Sequence, residues 1–166
     1  MARVTFEQML ARMKELIEAN LPDYGVVVTS DYYMAEDTEF ASVMTQLNPQ
    51  GELKGVMISW LGFSQQESEY AGGVDRRNRF SIELVEPYNT QRPDNVLSDI
   101  IFKRKVELLA DLFNEHEHRS LGFDGVESHY LQADTQDLEP RDWGDGGDAL
   151  LAHYGPMDIE FSITQC

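Results

Sequence analysis

The chain has 166 residues, with 30 Asp and Glu against 13 Lys and Arg, and a formal net charge of −17. So negative a chain is a poor general partner for nucleic-acid phosphates or anionic membranes, both of which draw on Lys and Arg. It is not a disordered acidic chain either, because 42% of its residues are hydrophobic and 10% aromatic.

Residues 5–20 read as an amphipathic helix. Thr5 and Gln8 have capping-box spacing. Phe6, Met9, Leu10, Met13, Leu16 and Ile17 recur at three- and four-residue steps, and Pro22 stops the helix. Residues 26–29 suit a short strand, and residues 32–40 a polar, aromatic loop. Residues 42–47 fit helix or strand, and Asn48, Pro49, Gln50 and Gly51 form a turn by composition. If Leu47 lies on a strand, it forms a hairpin with the next element. That element, residues 55–63, is a strongly apolar strand.

Residues 64–78 lack apolar periodicity and read as a long loop ending in Arg76, Arg77 and Arg79. Residues 80–85 alternate with period two, as a half-buried strand does. Residues 95–116 read as a second helix with Leu97, Ile100, Ile101, Leu108, Leu109, Leu112 and Phe113 on its buried face. Lys103, Arg104 and Lys105 interrupt that face. Residues 126–131 suit a strand, residues 132–147 an acidic loop, and residues 149–154 a short helix or strand. In residues 157–164, Ile159, Phe161 and Ile163 share one face, with Asp158, Glu160 and Ser162 on the other. The expectation is a single α+β domain over residues 1–166: a mostly antiparallel sheet with two main helices packed on one face.

A chain this long buries about 70% of its unfolded surface and needs no disulfide or metal to fold. Its only cysteine, Cys166, excludes an intrachain disulfide and a cysteine-based zinc or iron–sulfur cage. No apolar stretch suits a signal peptide or reaches the ~20 residues that span a bilayer. The chain is therefore expected to be reduced, soluble and made in the cytoplasm.

Signals for chemistry are weak. His116 and His118, two apart at a helix end, diverge rather than share a ligand, and nothing in the spacing adds His129 or His153. Asp142, Asp145 and Asp148 are spaced by three and lack the closing Glu of a calcium loop. No nucleophile elbow or phosphate-binding glycine loop is present. The expectation is no enzyme, no cofactor and no metal.

The charge map is more informative. From Val106 onward there are 14 acids against only Arg119 and Arg141, net −12, whereas residues 1–105 are net −5. Bases gather at Arg76, Arg77 and Arg79 and at Lys103, Arg104 and Lys105. One acidic region and two basic clusters allow head-to-tail pairing between copies, and heterologous contacts of that kind close into rings.

The element order completes a pattern. A capped amphipathic helix leads into Val26-Val27-Val28, then the apolar run Val56 to Phe63. An arginine-rich segment enters Arg79-Phe80-Ser81-Ile82-Glu83-Leu84. A long helix ending in Leu108-Leu109-Ala110-Asp111-Leu112-Phe113 and a last strand, Ile159 to Ile163, follow. This order resembles the tail terminator, or tail-completion, proteins of long-tailed bacteriophages, including the Mu-like minor tail family. The resemblance implies a virion protein that forms a hexameric ring, caps the tail tube and joins it to the head connector. Its partners are then other copies of itself, the tail tube protein and a connector or stopper protein. Arg76, Arg77, Arg79, Lys103, Arg104 and Lys105 become candidate contacts to a neighbour or the tube. Asp134, Asp137, Glu139, Asp142, Asp145 and Asp148 become candidate lumen residues that repel DNA in passage. Another head–tail connector or stopper, an acidic DNA mimic, and a small metal enzyme using His116 and His118 are the alternatives.

Overall fold

Thr5 starts the first element as the spacing predicts. Its hydroxyl accepts from the Gln8 amide at 3.2 Å, and the Gln8 side chain accepts from the Thr5 amide at 2.9 Å. Two of the four orphan amides of a helix start are thereby satisfied. In the computed structural model, residues 3–29, 54–67, 73–87, 95–115, 118–133, 141–142 and 151–165 are described. Among them the order is α1 (Phe6–Asn20), β1 (Gly25–Thr29), β2 (Gly55–Glu67), β3 (Val74–Pro87), α2 (Asn95–Asn114), β4 (Val126–Ala133), β5 (Arg141–Asp142) and β6 (Leu151–Gln165).

The sheet order is β1-β2-β3-β6-β4, with β5 pairing β6. Only β1 with β2 is parallel, from Gly25 opposite Gly55 to Thr29 opposite Ser59. All other pairs are antiparallel. Period-two alternation selects one face: Val56 and Ile58, then Phe80, Ile82 and Leu84, then Met157, Ile159, Phe161 and Ile163. Met9, Leu10, Met13, Leu16 and Ile17 of α1 pack into that face. So do Phe102, Val106, Leu109, Leu112 and Phe113 of α2. The fold is α+β with both helices on one side of a mostly antiparallel sheet. The other face is also buried at Met57, Ser59, Ser81, Glu83 and Val85.

The structure corrects three sequence expectations. Residues 64–78 are not a loop: β2 runs on to Glu67, and β3 begins at Val74, paired with it. Residues 63–67 are exposed throughout, so no buried face imprints a period on them. The acidic segment 132–147 is likewise not one loop, because β4 includes Gln132 and Ala133, and Arg141 and Asp142 pair with β6. The buried face of α2 is also shifted. Phe102 and Val106 are on it, whereas Ile100, Ile101 and Leu108 are exposed. Phe102, Val106, Leu109 and Phe113 advance by steps of three and four, while Ile101 precedes Phe102 by one 100° step and falls off that stripe. The expectations for residues 32–40, 42–47 and 48–51, and the hairpin through Leu47, lie outside the described residues.

Gly62 marks where β2 leaves the core. The β2–β3 register shifts between Trp60 and Gly62, a bulge that sets two residues against one. Gly62 has φ +103°, and a Cβ there meets nothing within 4 Å. The need for glycine is purely conformational. Gly62→Ala is expected to destabilise the protein by about 1–3 kcal/mol, read by urea unfolding.

Candidate interaction surface

Beyond Gly62 the β2–β3 hairpin continues as an arm. Its pairs run through Phe63 opposite Asn78 and Gln65 opposite Arg76 to Glu67 opposite Val74. The end of β6 joins it, with Ile163 opposite Arg76 and Gln165 opposite Val74. The arm is three-stranded along its whole described length, with β4 beside it at Val126 opposite Ile163. Its exposed edge is β2, which has no described partner strand on its outer side beyond Ser59.

A stack runs out along its helix-side face. Phe6 lies on Trp60, centroids 4.2 Å apart and planes 11° apart, and Trp60 is followed by Phe63 at 6.3 Å. The Arg76 guanidinium lies 4.3 Å over the Phe63 ring. Its Nε and Nη2 donate to Gln65 Oε1 at 3.2 and 2.9 Å. Trp60 Nε1 donates to buried Asn78 Oδ1 at 3.2 Å. Phe63 remains 51% exposed, the most exposed large apolar side chain among the described residues. Partial desolvation and nearby Arg3 pull the Arg76 guanidinium below its ordinary range, yet it stays charged at neutral pH. No described carboxylate forms an ion pair with Arg76.

The three arginines grouped in the sequence separate across the sheet. Arg76 is on the helix side, whereas Arg77 and Arg79 alternate to the other face. Arg77 is exposed, and Arg79 Nε lies 3.6 Å from Glu160 Oε1 of β6. The second cluster separates as well. Lys103 and Arg104 are exposed, but Lys105 turns inward. Its Nζ donates to Glu86 Oε2 at 2.7 Å and to the Tyr24 hydroxyl at 2.6 Å, and that hydroxyl donates to the same Glu86 oxygen at 2.5 Å. Lys105 therefore locks α2 to the end of β3 and the exit of α1. Phe102 stacks on buried His153 at 4.9 Å, reinforcing the same corner.

Burial, then the charge and hydrogen bond of Glu86, hold the Tyr24 phenol well above its ordinary value of about 10. The unfolded chain loses this proton near pH 10, and the folded chain keeps it. The group's contribution is full below about pH 10 and declines as the pH rises further. Tyr24→Phe is expected to weaken the alkaline loss of stability. Urea midpoints measured from about pH 8 to about pH 11 check this against the parent chain.

The outer face of α2 is the other unusual surface. Leu108 is 41% exposed and Ile101 38%, one heptad apart and so on one stripe. Glu107, Asp111 and Glu115 stand beside Leu108 at four-residue steps, all exposed. Among the described residues neither Glu107 nor Asp111 has an ion pair, and Glu115 lies 3.7 Å from His118 Nε2. The last turn holds no base. In α1, whose last turn also holds no base, Arg12 pairs with Glu15 at 2.8 Å and Lys14 with Glu18 at 3.6 Å.

Of the candidate lumen acids, Asp142 lies on β5; Asp134, Asp137, Glu139, Asp145 and Asp148 lie outside the described residues. His116 does too. Among the described residues no three His, Cys, Asp or Glu side chains converge as a metal site. No described helix is long and apolar enough to cross a membrane. The sequence reading missed the Phe6–Trp60–Phe63 stack. The available signal was Phe63 standing at the border between an apolar run and the polar Ser64-Gln65-Gln66-Glu67.

No family model and no curated protein matches this chain. Among solved structures, one whose name states no function is 13% identical, covers 93% of this chain and 89% of that one, and superposes with a TM-score of 0.45.

Proposed function

We propose that this chain is a structural virion protein: a tail terminator or tail-completion protein that closes into a hexameric ring on the end of a bacteriophage tail tube. The ring joins the tube to a connector or stopper protein. It performs no reaction and takes no cofactor. The protein is made in the host cytoplasm and ends in the virion neck.

The observation that carries this reading is the arm. A strand edge that runs exposed from Phe63 to Glu67, with an arginine stacked on Phe63, is a surface suited to being covered by something else. The element order behind the family resemblance supports the same reading. The surplus of carboxylates fits a lumen through which DNA passes without adhering, with Asp134, Asp137, Glu139, Asp142, Asp145 and Asp148 as its lining. Six copies of a −17 chain repel one another, so the contacts between them must be apolar and charge-matched.

Native mass spectrometry and negative-stain microscopy of the purified chain test this. The expected species is a ring of six times 19.0 kDa with an axial hole. A single-chain mass at the highest soluble concentration would overturn it.

A further inference from the structure

We propose that the Phe63–Arg76 face of the arm in one copy docks on the outer face of α2 in the next copy, at Glu107, Leu108 and Asp111. This contact rests on the ring reading and names the two surfaces that build it.

Each surface has what the other lacks. The arm presents an exposed aromatic ring beneath a guanidinium, with no described carboxylate paired to it. Arg3 adds like charge near Arg76. The second half of α2 presents exposed Leu108 between Glu107 and Asp111, neither with an ion pair among the described residues. The helix C-terminus adds its own negative partial charge. Acids near that end, with no base in the last turn, work against the helix; such local conflicts are expected where a surface serves another purpose. α1 also lacks a base in its last turn, but there the acids Glu15 and Glu18 are paired with Arg12 and Lys14.

The two surfaces do not compete within one chain. The arm extends from β2 and β3, while the Ser128 hydroxyl of β4 donates to the Phe113 carbonyl at 3.4 Å and fixes the end of α2 over β4. Two different patches on one molecule make a heterologous contact, and repetition closes a ring. Phe63 on Leu108 supplies apolar burial, and Arg76 between Glu107 and Asp111 supplies register and selectivity.

Two full-length variants test the contact: an arm variant, Phe63→Ser with Arg76→Ser, and a helix variant, Glu107→Lys with Asp111→Lys. Phe63, Glu107 and Asp111 are exposed and Arg76 is half-buried, and circular dichroism with thermal melts verifies that both variants fold. Native mass spectrometry is expected to show each variant alone as a single chain. Mixed in equal amounts, they are expected to form a 1:1 complex that grows no further, since each retains one intact surface. Rings from either variant alone, or no complex in the mixture, would overturn this contact while wild-type rings leave the ring reading intact. A wild-type chain that forms no ring would remove both.

Discussion

Phe80→Ala is expected to lower the unfolding free energy by about 3–5 kcal/mol, the largest loss from any single truncation considered. Phe80 sits on the central strand β3, opposite Trp60 of β2 and Ile159 of β6. It is fully buried, and its ring meets Phe161 edge-on at 5.9 Å with planes 72° apart. Strands on both sides and helices above leave little freedom to collapse into the void, which keeps the cost high. For a domain of this size each kcal/mol moves Tm by roughly 2–4 °C, so melting drops by the order of 10 °C. Urea unfolding followed by circular dichroism measures the effect, with the m-value unchanged. Phe161→Ala in the same chain adds less than its own cost. The shortfall of about 0.5–1.5 kcal/mol is the aromatic pair term. A loss below 1 kcal/mol for Phe80→Ala would refute its central place in the core.

Lys105→Met is expected to cost about 2–3 kcal/mol. It removes the ammonium that satisfies Glu86, leaving a carboxylate of 9% side-chain exposure beside the buried Tyr24 ring. The figure is held below that of a fully buried pair because the Lys105 side chain keeps 28% of its exposure. The discriminating variant is Lys105→Met with Glu86→Gln. It removes the orphaned charge and keeps a hydrogen-bond acceptor for Tyr24, so it recovers most of the loss. Arg104→Met, one residue away and exposed, changes stability by no more than about 0.5 kcal/mol. Urea midpoints of these variants at neutral pH decide the matter. Equal effects at positions 104 and 105 would show that Lys105 does not lock α2 to the sheet.

The candidate surface was only half legible in the sequence. The basic clusters were visible as runs, but a run on a strand is divided by the pleat and a run on a helix by the 100° step. Arg76 therefore parts from Arg77 and Arg79, and Lys105 parts from Lys103 and Arg104. The arm was invisible because it is exposed at residues 63–67, and hydrophobic periodicity reports only a face that is buried. The outer face of α2 was misread for a related reason. Ile100, Ile101 and Leu108 are as apolar as core residues, and only contact with the sheet chose Phe102 and Val106 over them.

What the sequence determined alone is everything that depends on neighbours along the chain. The capped α1, ended before Pro22, follows from local hydrogen bonding and the 3.6-residue stripe. The alternation of Ile159, Phe161 and Ile163 in β6 follows from the two-residue repeat of an extended chain. So does the α+β class, since strands with one apolar face require a helical layer to cover it. Tertiary structure alone decided what depends on residues far apart. It placed β6 between β3 and β4, made β1 parallel to β2, and drew Tyr24, Glu86 and Lys105 onto one carboxylate oxygen. No local pattern encodes such contacts, because their energy is gained only when segments 19 to 81 residues apart meet.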